Sequence, residues 1–148
     1  MSSSYSNQSP IYVRTPLIES PSLQHLLCSD RHKVHLKLEN CQPSGSFKLR
    51  GISTLCECAK RNGFTRVVCS SSGNAGLATA FSAARLGLDC HIVVFKLTPE
   101  EVCDKIRAHG ATVEMYGDVW DEAYEHALSL TEGSTTSVMV HPFNHAEV

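Results

Sequence analysis

Two short loops of small polar residues contain the side chains best suited to chemistry. The first loop, residues 43–51, reads Pro-Ser-Gly-Ser-Phe-Lys-Leu-Arg-Gly and places Lys48 in a turn before a predicted helix. A lysine with apolar neighbours and little water loses its proton readily, and the neutral amine forms Schiff bases with carbonyl compounds. Phe47 is such a neighbour, and the small residues 44–46 leave space around the amine. Lys48 is therefore a candidate nucleophile, although most lysines at turns are only solvated charges.

The second loop, residues 70–76, reads Ser-Ser-Ser-Gly-Asn-Ala-Gly and connects a predicted strand to a predicted helix. The amino end of a helix presents unpaired N–H groups and the positive end of the helix dipole. Small side chains let an anion approach this backbone, and the carboxylate of an amino acid would suit the site. The loop lacks the Gly-Lys of a P-loop and does not match the dinucleotide-binding fingerprint.

A regular alternation of strands and helices positions the second loop. Predicted strands begin near residues 67, 90, 112 and 137, with a predicted helix between each pair. This alternation is typical of right-handed βαβ units, which build a parallel sheet covered by helices on both faces. We therefore predict an α/β fold with an open, twisted parallel sheet. Ligands of such sheets bind beyond the carboxyl ends of the strands, where residues 70–76 lie.

The first sixty residues are less regular. Residues 11–18 are predicted to be extended, Pro21 to open a short helix, and residues 34–39 to form a half-buried strand outside the parallel run. The helix predicted over residues 46–61 has four apolar residues that are expected to pack inward, Phe47, Ile52, Leu55 and Ala59. Two later helices are expected to start at capping residues, one at a Thr98–Glu101 capping box with Pro99 in the first helical position and one at Asp118.

Composition argues against several classes of function. Thirteen Lys and Arg stand against 15 Asp and Glu, which gives no electrostatic reason to expect nucleic acid or an anionic membrane as partner. No apolar run has the length of a membrane span, and the first nine residues do not resemble a signal peptide. The seven cysteines show no metal-ligand spacing. We therefore expect reduced thiols, no metal site and a cytoplasmic location.

The two loops together resemble the motifs of one enzyme family. Residues 43–51 resemble the pyridoxal phosphate lysine motif of the serine/threonine dehydratases, which belong to the fold-type II (tryptophan synthase β) enzymes. Residues 71–76 resemble the substrate-carboxylate loop of that family at the expected distance. Residues 15–17 (Thr-Pro-Leu) and 141–144 (His-Pro-Phe-Asn) also fall where the family has similar segments. The L-serine dehydratase/threonine deaminase branch is the most similar.

This resemblance implies a cofactor and a role for each motif residue. Lys48 would bind pyridoxal 5′-phosphate as a Schiff base, Phe47 would pack against the pyridine ring, and Asn74 would hydrogen-bond the 3′-oxygen. The substrate carboxylate would be held by the loop residues Ser71, Ser72, Gly73, Asn74 and Ala75. The implied reaction is α,β-elimination from L-serine or L-threonine, in which Lys48 removes the α-proton and the products are pyruvate or 2-oxobutanoate and ammonia.

Ser72 is a second candidate catalytic residue. The related serine racemases have a serine at the corresponding place. By this resemblance, Ser72 would be the acid/base group on the face of the substrate Cα opposite Lys48. The alternative is a loop serine that only binds carboxylate, as hydroxyls in such loops commonly do. A racemase side activity is therefore the minor hypothesis.

The resemblance also implies a domain arrangement. Residues 1–10 would be a flexible tail, 11–62 the N-terminal part of a large cofactor-binding domain, 63–141 a small α/β domain, and 142–148 a truncated return to the large domain. The glycine-rich loop that binds the cofactor phosphate would lie beyond residue 148. The chain is thus predicted to be the N-terminal portion of a homodimeric enzyme. The alternative is a catalytically incomplete fragment or splice form that acts as a binding or association module.

Overall fold

The computed structural model describes residues 9–27, 32–141 and 143. Strands and helices alternate along these residues, and the longest helices lie in the central part of the chain. In chain order the elements are β1 (Leu17–Glu19), α1 (Pro21–Leu26), β2 (His35–Lys37), a 3₁₀ turn (Glu39–Cys41), α2 (Lys48–Arg61), β3 (Arg66–Ser70), α3 (Asn74–Leu86), β4 (Asp89–Val94), α4 (Glu100–Arg107), β5 (Thr112–Met115), α5 (Trp120–Ser129) and β6 (Ser137–Met139).

The second half of the chain forms a four-stranded sheet with the order β5-β4-β3-β6. All three neighbouring pairs are parallel, which confirms the predicted α/β class. The chain moves outward from β3 to β4 and β5, and then returns to place β6 on the other side of β3. The strand order therefore reverses between β3 and β6, and the carboxyl ends of these two strands flank the crevice where ligands of such sheets bind.

Helices cover both faces of this sheet, as predicted. Alternate residues of β3 point to opposite faces, so Val67 and Cys69 join the larger core, whereas Val68 joins the smaller one. The larger core contains the buried side chains of α2, α3 and α4. The smaller core contains Ala123 and Ala127 of α5. The fold is thus a three-layer arrangement, and among the described helices α5 is the one that covers the second face of the sheet.

Helices α2 and α3 run in the same direction. The ammonium of Lys60, near the end of α2, donates a 2.5 Å hydrogen bond to the carbonyl of Leu86, the last residue of α3. The two helices have 14 and 13 residues and pack against each other. Because their carboxyl ends meet and their lengths are nearly equal, their amino ends lie at the same end of the pair.

The N-terminal elements form a separate two-stranded antiparallel sheet of β1 and β2. This confirms that the strand predicted over residues 34–39 lies outside the parallel run. Helix α1 follows β1 and has no buried residue, with Leu26 74% exposed. The division into residues 11–62 and 63–141 stays a prediction. Helix α2, which that division assigns to the first part, shares its core with the sheet of the second.

Three local predictions were wrong. Phe47 is 58% exposed rather than packed inward, because it precedes α2 as the N-cap and the buried stripe begins at Leu49. The capping box at Thr98 does not form: α4 starts at Glu100 after Pro99, and the Thr98 hydroxyl finds no hydrogen-bond partner within the described residues. Asp118 does not cap α5, since its carboxylate pairs instead with Lys96 at 2.9 Å.

A half-buried polar cluster connects α5 to the sheet. His91 on β4 and His126 on α5 each place Nε2 at 2.8 Å from one carboxylate oxygen of Glu114 on β5. Arg66 Nη2 lies 2.6 Å from His91 Nδ1, and because a guanidinium only donates, that nitrogen is the acceptor. Burial would raise the pKa of Glu114, but the hydrogen bonds from His126 and His91 outweigh burial and hold that pKa below its ordinary value.

Other predictions concern the cysteines, metal sites and membrane spans. The six described cysteines, Cys41, Cys56, Cys58, Cys69, Cys90 and Cys103, are free thiols. Within the described ranges, no group of three or more His, Cys, Asp or Glu could hold a metal ion. No helix in the same ranges is long and apolar enough to cross a membrane. Most of the predicted tail (residues 1–8) and of the predicted return segment (142 and 144–148) lies outside the described residues.

Candidate active site

Lys48 is the first residue of α2 and is half-buried. Its Nζ lies 4.6 Å from the centroid of the Phe143 ring and 5.7 Å from that of the Phe47 ring. Aromatic faces attract a cation at these distances. The ammonium of Lys48 therefore lies near two aromatic rings, one from its own turn and one that follows β6.

A hydrogen-bond network holds the turn that carries Lys48. The Glu39 carboxylate accepts two bonds from the Arg50 guanidinium, at 2.8 and 2.9 Å, and one from Thr15 at 2.5 Å. The hydrogen bond from Arg50 is the main reason that the pKa of Glu39 falls to about 2. Gln42 joins the same carboxylate and also bonds both backbone groups of Val13. The network thus fixes the chain on both sides of Lys48.

The second loop connects β3 to α3. Ser71, Ser72 and Gly73 are half-buried, Asn74 is exposed as the first helical residue, and Ala75 is buried. The N–H of Gly73 donates to Ser71 Oγ at 3.3 Å, which folds the loop over the first turn of α3.

Gly76 makes this folded loop possible. A Cβ at position 76 would overlap the carbonyl oxygen of Ser71, so only glycine lets the loop lie this close to the helix. The glycine at this position is therefore required by close approach rather than by its own backbone angles.

Trp120 and Phe143 connect the two loops. Phe143, next to Lys48, has its ring centroid 6.3 Å from that of Trp120. The indole N–H of Trp120 donates to the carbonyl of Ser70 at 3.1 Å. The structure therefore brings Lys48 and the residue 70–76 loop to the same crevice. Sequence reasoning missed Trp120, although its place directly after β5 puts it at the carboxyl edge of the sheet.

Buried hydroxyls without partners concentrate in the two loops. Five buried side-chain hydroxyls have no hydrogen-bond partner within the described residues, and three of them belong to Ser44, Ser46 and Ser70. A buried polar group without a partner is costly, so such groups commonly mark a site for a bound polar molecule. The half-buried lysine, the flanking rings and these hydroxyls fit a flat, polar, carbonyl-bearing cofactor.

Cys69 on β3 does not compete with Lys48 as a nucleophile. Burial raises the pKa of this thiol to about 12, against smaller opposite effects of Thr79 and of the Lys48 charge. The thiol is therefore protonated at neutral pH, and thiolate is the reactive form.

The chain is similar to several known proteins. A family described as "Pyridoxal-phosphate dependent enzyme" matches residues 8–148. The L-serine dehydratase/L-threonine deaminase of Mus musculus is 42% identical over 137 residues, which are 93% of this chain and 41% of that protein. The chain thus spans less than half the length of this relative.

The chain is also similar to solved structures. The L-serine ammonia-lyase of the fungus Rhizomucor miehei is 37% identical with a TM-score of 0.83, over 93% of this chain and 43% of that one. The serine racemase of Dictyostelium discoideum is 26% identical with a TM-score of 0.78, over 92% of this chain and 43% of that one.

Proposed function

The chain belongs to the pyridoxal-phosphate dependent enzymes, and from this premise we propose that it supplies the lysine and the carboxylate loop of an ammonia-lyase. The substrate would be L-serine or L-threonine, and α,β-elimination would give pyruvate or 2-oxobutanoate and ammonia. The names of the similar proteins from mouse and Rhizomucor miehei support this substrate class. The alternative is a catalytically incomplete portion that acts as a binding or association module.

A chain of three contacts carries the proposal: Lys48 to Phe143, Phe143 to Trp120, and Trp120 to Ser70. Lys48 Nζ would bond covalently to the cofactor aldehyde and, once released, would take the α-proton of the substrate. Phe47 would pack against the cofactor ring, and the Asn74 amide would hydrogen-bond its 3′-oxygen. The cofactor, when bound, supplies an electron sink that makes the α-proton acidic.

The loop of residues 71–75 would hold the substrate carboxylate. Backbone N–H groups at the start of α3 have no partner within the helix and lie at the positive end of its dipole. The hydroxyls of Ser71 and Ser72 add donors beside them. Fixing the carboxylate orients the α-proton toward Lys48, and such positioning is a large part of catalysis.

Ser72 would act as a carboxylate ligand in this proposal. The match to a serine racemase keeps the minor alternative, in which Ser72 exchanges the α-proton on the face opposite Lys48. D-serine production by the unmodified protein and its loss in Ser72→Ala would favour that alternative. If the unmodified protein makes no D-serine from L-serine, the racemase alternative is wrong.

Borohydride trapping tests the proposal directly. The protein would be incubated with pyridoxal phosphate, reduced, digested and analysed by mass spectrometry, with pyruvate formation from L-serine followed in parallel. We expect the reduced cofactor on Lys48 and no such adduct in Lys48→Ala. Lys96→Ala is the control, since Lys96 is an exposed lysine paired with Asp118. An adduct without pyruvate would favour the incomplete portion, and no adduct on Lys48 at saturating cofactor would contradict both cofactor binding and the enzyme.

We also propose a domain boundary near residue 62, a cytoplasmic location and a homodimer. The free thiols support a reducing compartment. Exposed apolar side chains are concentrated in β1 and α1, with Leu17 and Leu26 62% and 74% exposed, and this concentration supports an association surface. Light scattering after size exclusion, with Leu26→Ser as the test variant, would show whether the dimer forms through this surface.

A further inference from the structure

Trp120, the chain's single tryptophan, contacts both halves of the site. Its indole N–H donates to the carbonyl of Ser70, a residue 50 positions earlier in sequence. Ser70 is the last residue of β3, has no exposed surface and is the first residue of the residue 70–76 loop. The indole therefore holds the loop at the point where it leaves the sheet.

The ring of Trp120 also supports the aromatic residue beside Lys48. It stacks on Tyr124 at 5.1 Å within α5, and its edge meets Phe143 at 6.3 Å. Phe143 in turn lies 4.6 Å from Lys48 Nζ. One side chain, at the first position of α5, thus contacts the loop on one side and the lysine's aromatic neighbour on the other.

We propose that Trp120 is a positioning residue. It sets the position of residues 71–74, within the residue 70–76 loop, relative to Lys48. The bond from the indole satisfies a buried carbonyl, and without this donor the carbonyl must move toward water or toward another donor. Such a shift would carry the loop amides with it. What the loop binds rests on the proposed function, but the ordering of the loop by Trp120 does not.

Hydrogen exchange tests the ordering of the loop without any cofactor. Trp120→Phe keeps a six-membered aromatic ring and removes the N–H donor together with the pyrrole part of the indole, and Tyr124→Phe is the matched control that keeps the stacked ring. Loss of one hydrogen bond should speed exchange in the peptide covering residues 70–77 by about fivefold. The control should exchange like the unmodified protein. Equal exchange in the two variants, or faster exchange throughout the Trp120→Phe chain, would overturn the proposal.

Ligand binding separates positioning from a general structural role. On protein loaded with pyridoxal phosphate, the absorbance change would be titrated with L-serine and with ethanolamine, which lacks the carboxylate. Trp120→Phe should raise the half-saturating concentration of L-serine about fivefold and leave that of ethanolamine unchanged. An equal change for both amines would contradict positioning of the carboxylate loop. If the unmodified protein takes no cofactor, the proposed function fails, and hydrogen exchange alone decides the role of Trp120.

Discussion

Replacing Gly76 with alanine should move the residue 70–76 loop and destabilise the fold. Gly76 lies in the first turn of α3, and a Cβ there would overlap the carbonyl oxygen of Ser71 and lie 3.4 Å from Ile92 Cγ2. A backbone carbonyl cannot rotate away as the end of a side chain can. Either residues 71–73 must lift from the helix or the first turn of α3 must open.

The size of the effect follows from two opposing contributions. Overpacking of a close-packed site costs about 1–3 kcal/mol, and the backbone partner places this case at about 3 kcal/mol. Alanine is favoured over glycine within a helix by about 1 kcal/mol. The net loss in the free energy of unfolding should therefore be about 2 kcal/mol, which corresponds to roughly 6 °C in the melting temperature of a chain of this size.

Gly73→Ala is the matched control for stability. Gly73 is in the same loop, but its φ of −151° is outside the left-handed region and a Cβ there would meet nothing within 4 Å. Urea unfolding followed by circular dichroism should show a change within about 0.5 kcal/mol for this variant. The reasoning is refuted if Gly76→Ala is as stable as the unmodified protein or if the two variants lose the same amount.

Three further predictions concern contacts outside the loop. Arg50→Lys removes the two-bond contact with Glu39. We therefore expect a lower melting temperature and slower borohydride trapping of pyridoxal phosphate at Lys48. Unchanged values of both would contradict the role of this network. Because the pKa of Glu114 is lowered in the fold, its contribution to stability is complete above about pH 4.5 and is lost as the pH falls through the folded-state pKa. Glu114→Gln should therefore flatten the acid limb of a stability profile, and an equally steep limb would refute this. Burial raises the pKa of the Cys56, Cys69 and Cys90 thiols. Brief alkylation followed by peptide mapping should therefore label the exposed Cys41 and leave these three unlabelled. Early labelling of the buried thiols would contradict this prediction and show that the core opens.

The parallel sheet could be predicted because its strands are short apolar runs separated by helices of regular length. Such runs have few alternatives, since both faces of a parallel sheet are buried. The helix caps were harder to predict than the sheet. Asp118 reaches Lys96 in the loop after β4, and the Thr98 hydroxyl is buried by the fold around it. Both outcomes depend on neighbours that are distant in sequence, whereas the capping rules consider only adjacent residues.

Prediction of the candidate site was limited in the same way, by contacts between residues that are distant in sequence. The residue types around Lys48 and in residues 70–76 made these two turns candidates for one site, because a lysine among small residues and a glycine-containing loop at a helix start can both serve chemistry. Trp120 carried no comparable local signal. Its contact with Ser70 spans 50 residues, and its contact with Phe143 depends on the return of β6 to the side of β3. Only the strand order decides that these three residues meet.

The joining of the two motifs depends on where α2 docks, which the βαβ alternation does not specify. Helix α2 precedes the parallel run, and its amphipathic stripe could lie against the sheet in either direction. The contact between Lys60 and the Leu86 carbonyl, at the far ends of α2 and α3, is compatible only with helices that run in the same direction. A reversed α2 would place Lys48 at the carboxyl end of α3, away from the loop. The approach of Lys48 to the residue 70–76 loop is therefore a property of the whole α2–α3 contact, and the motif residues alone do not produce it.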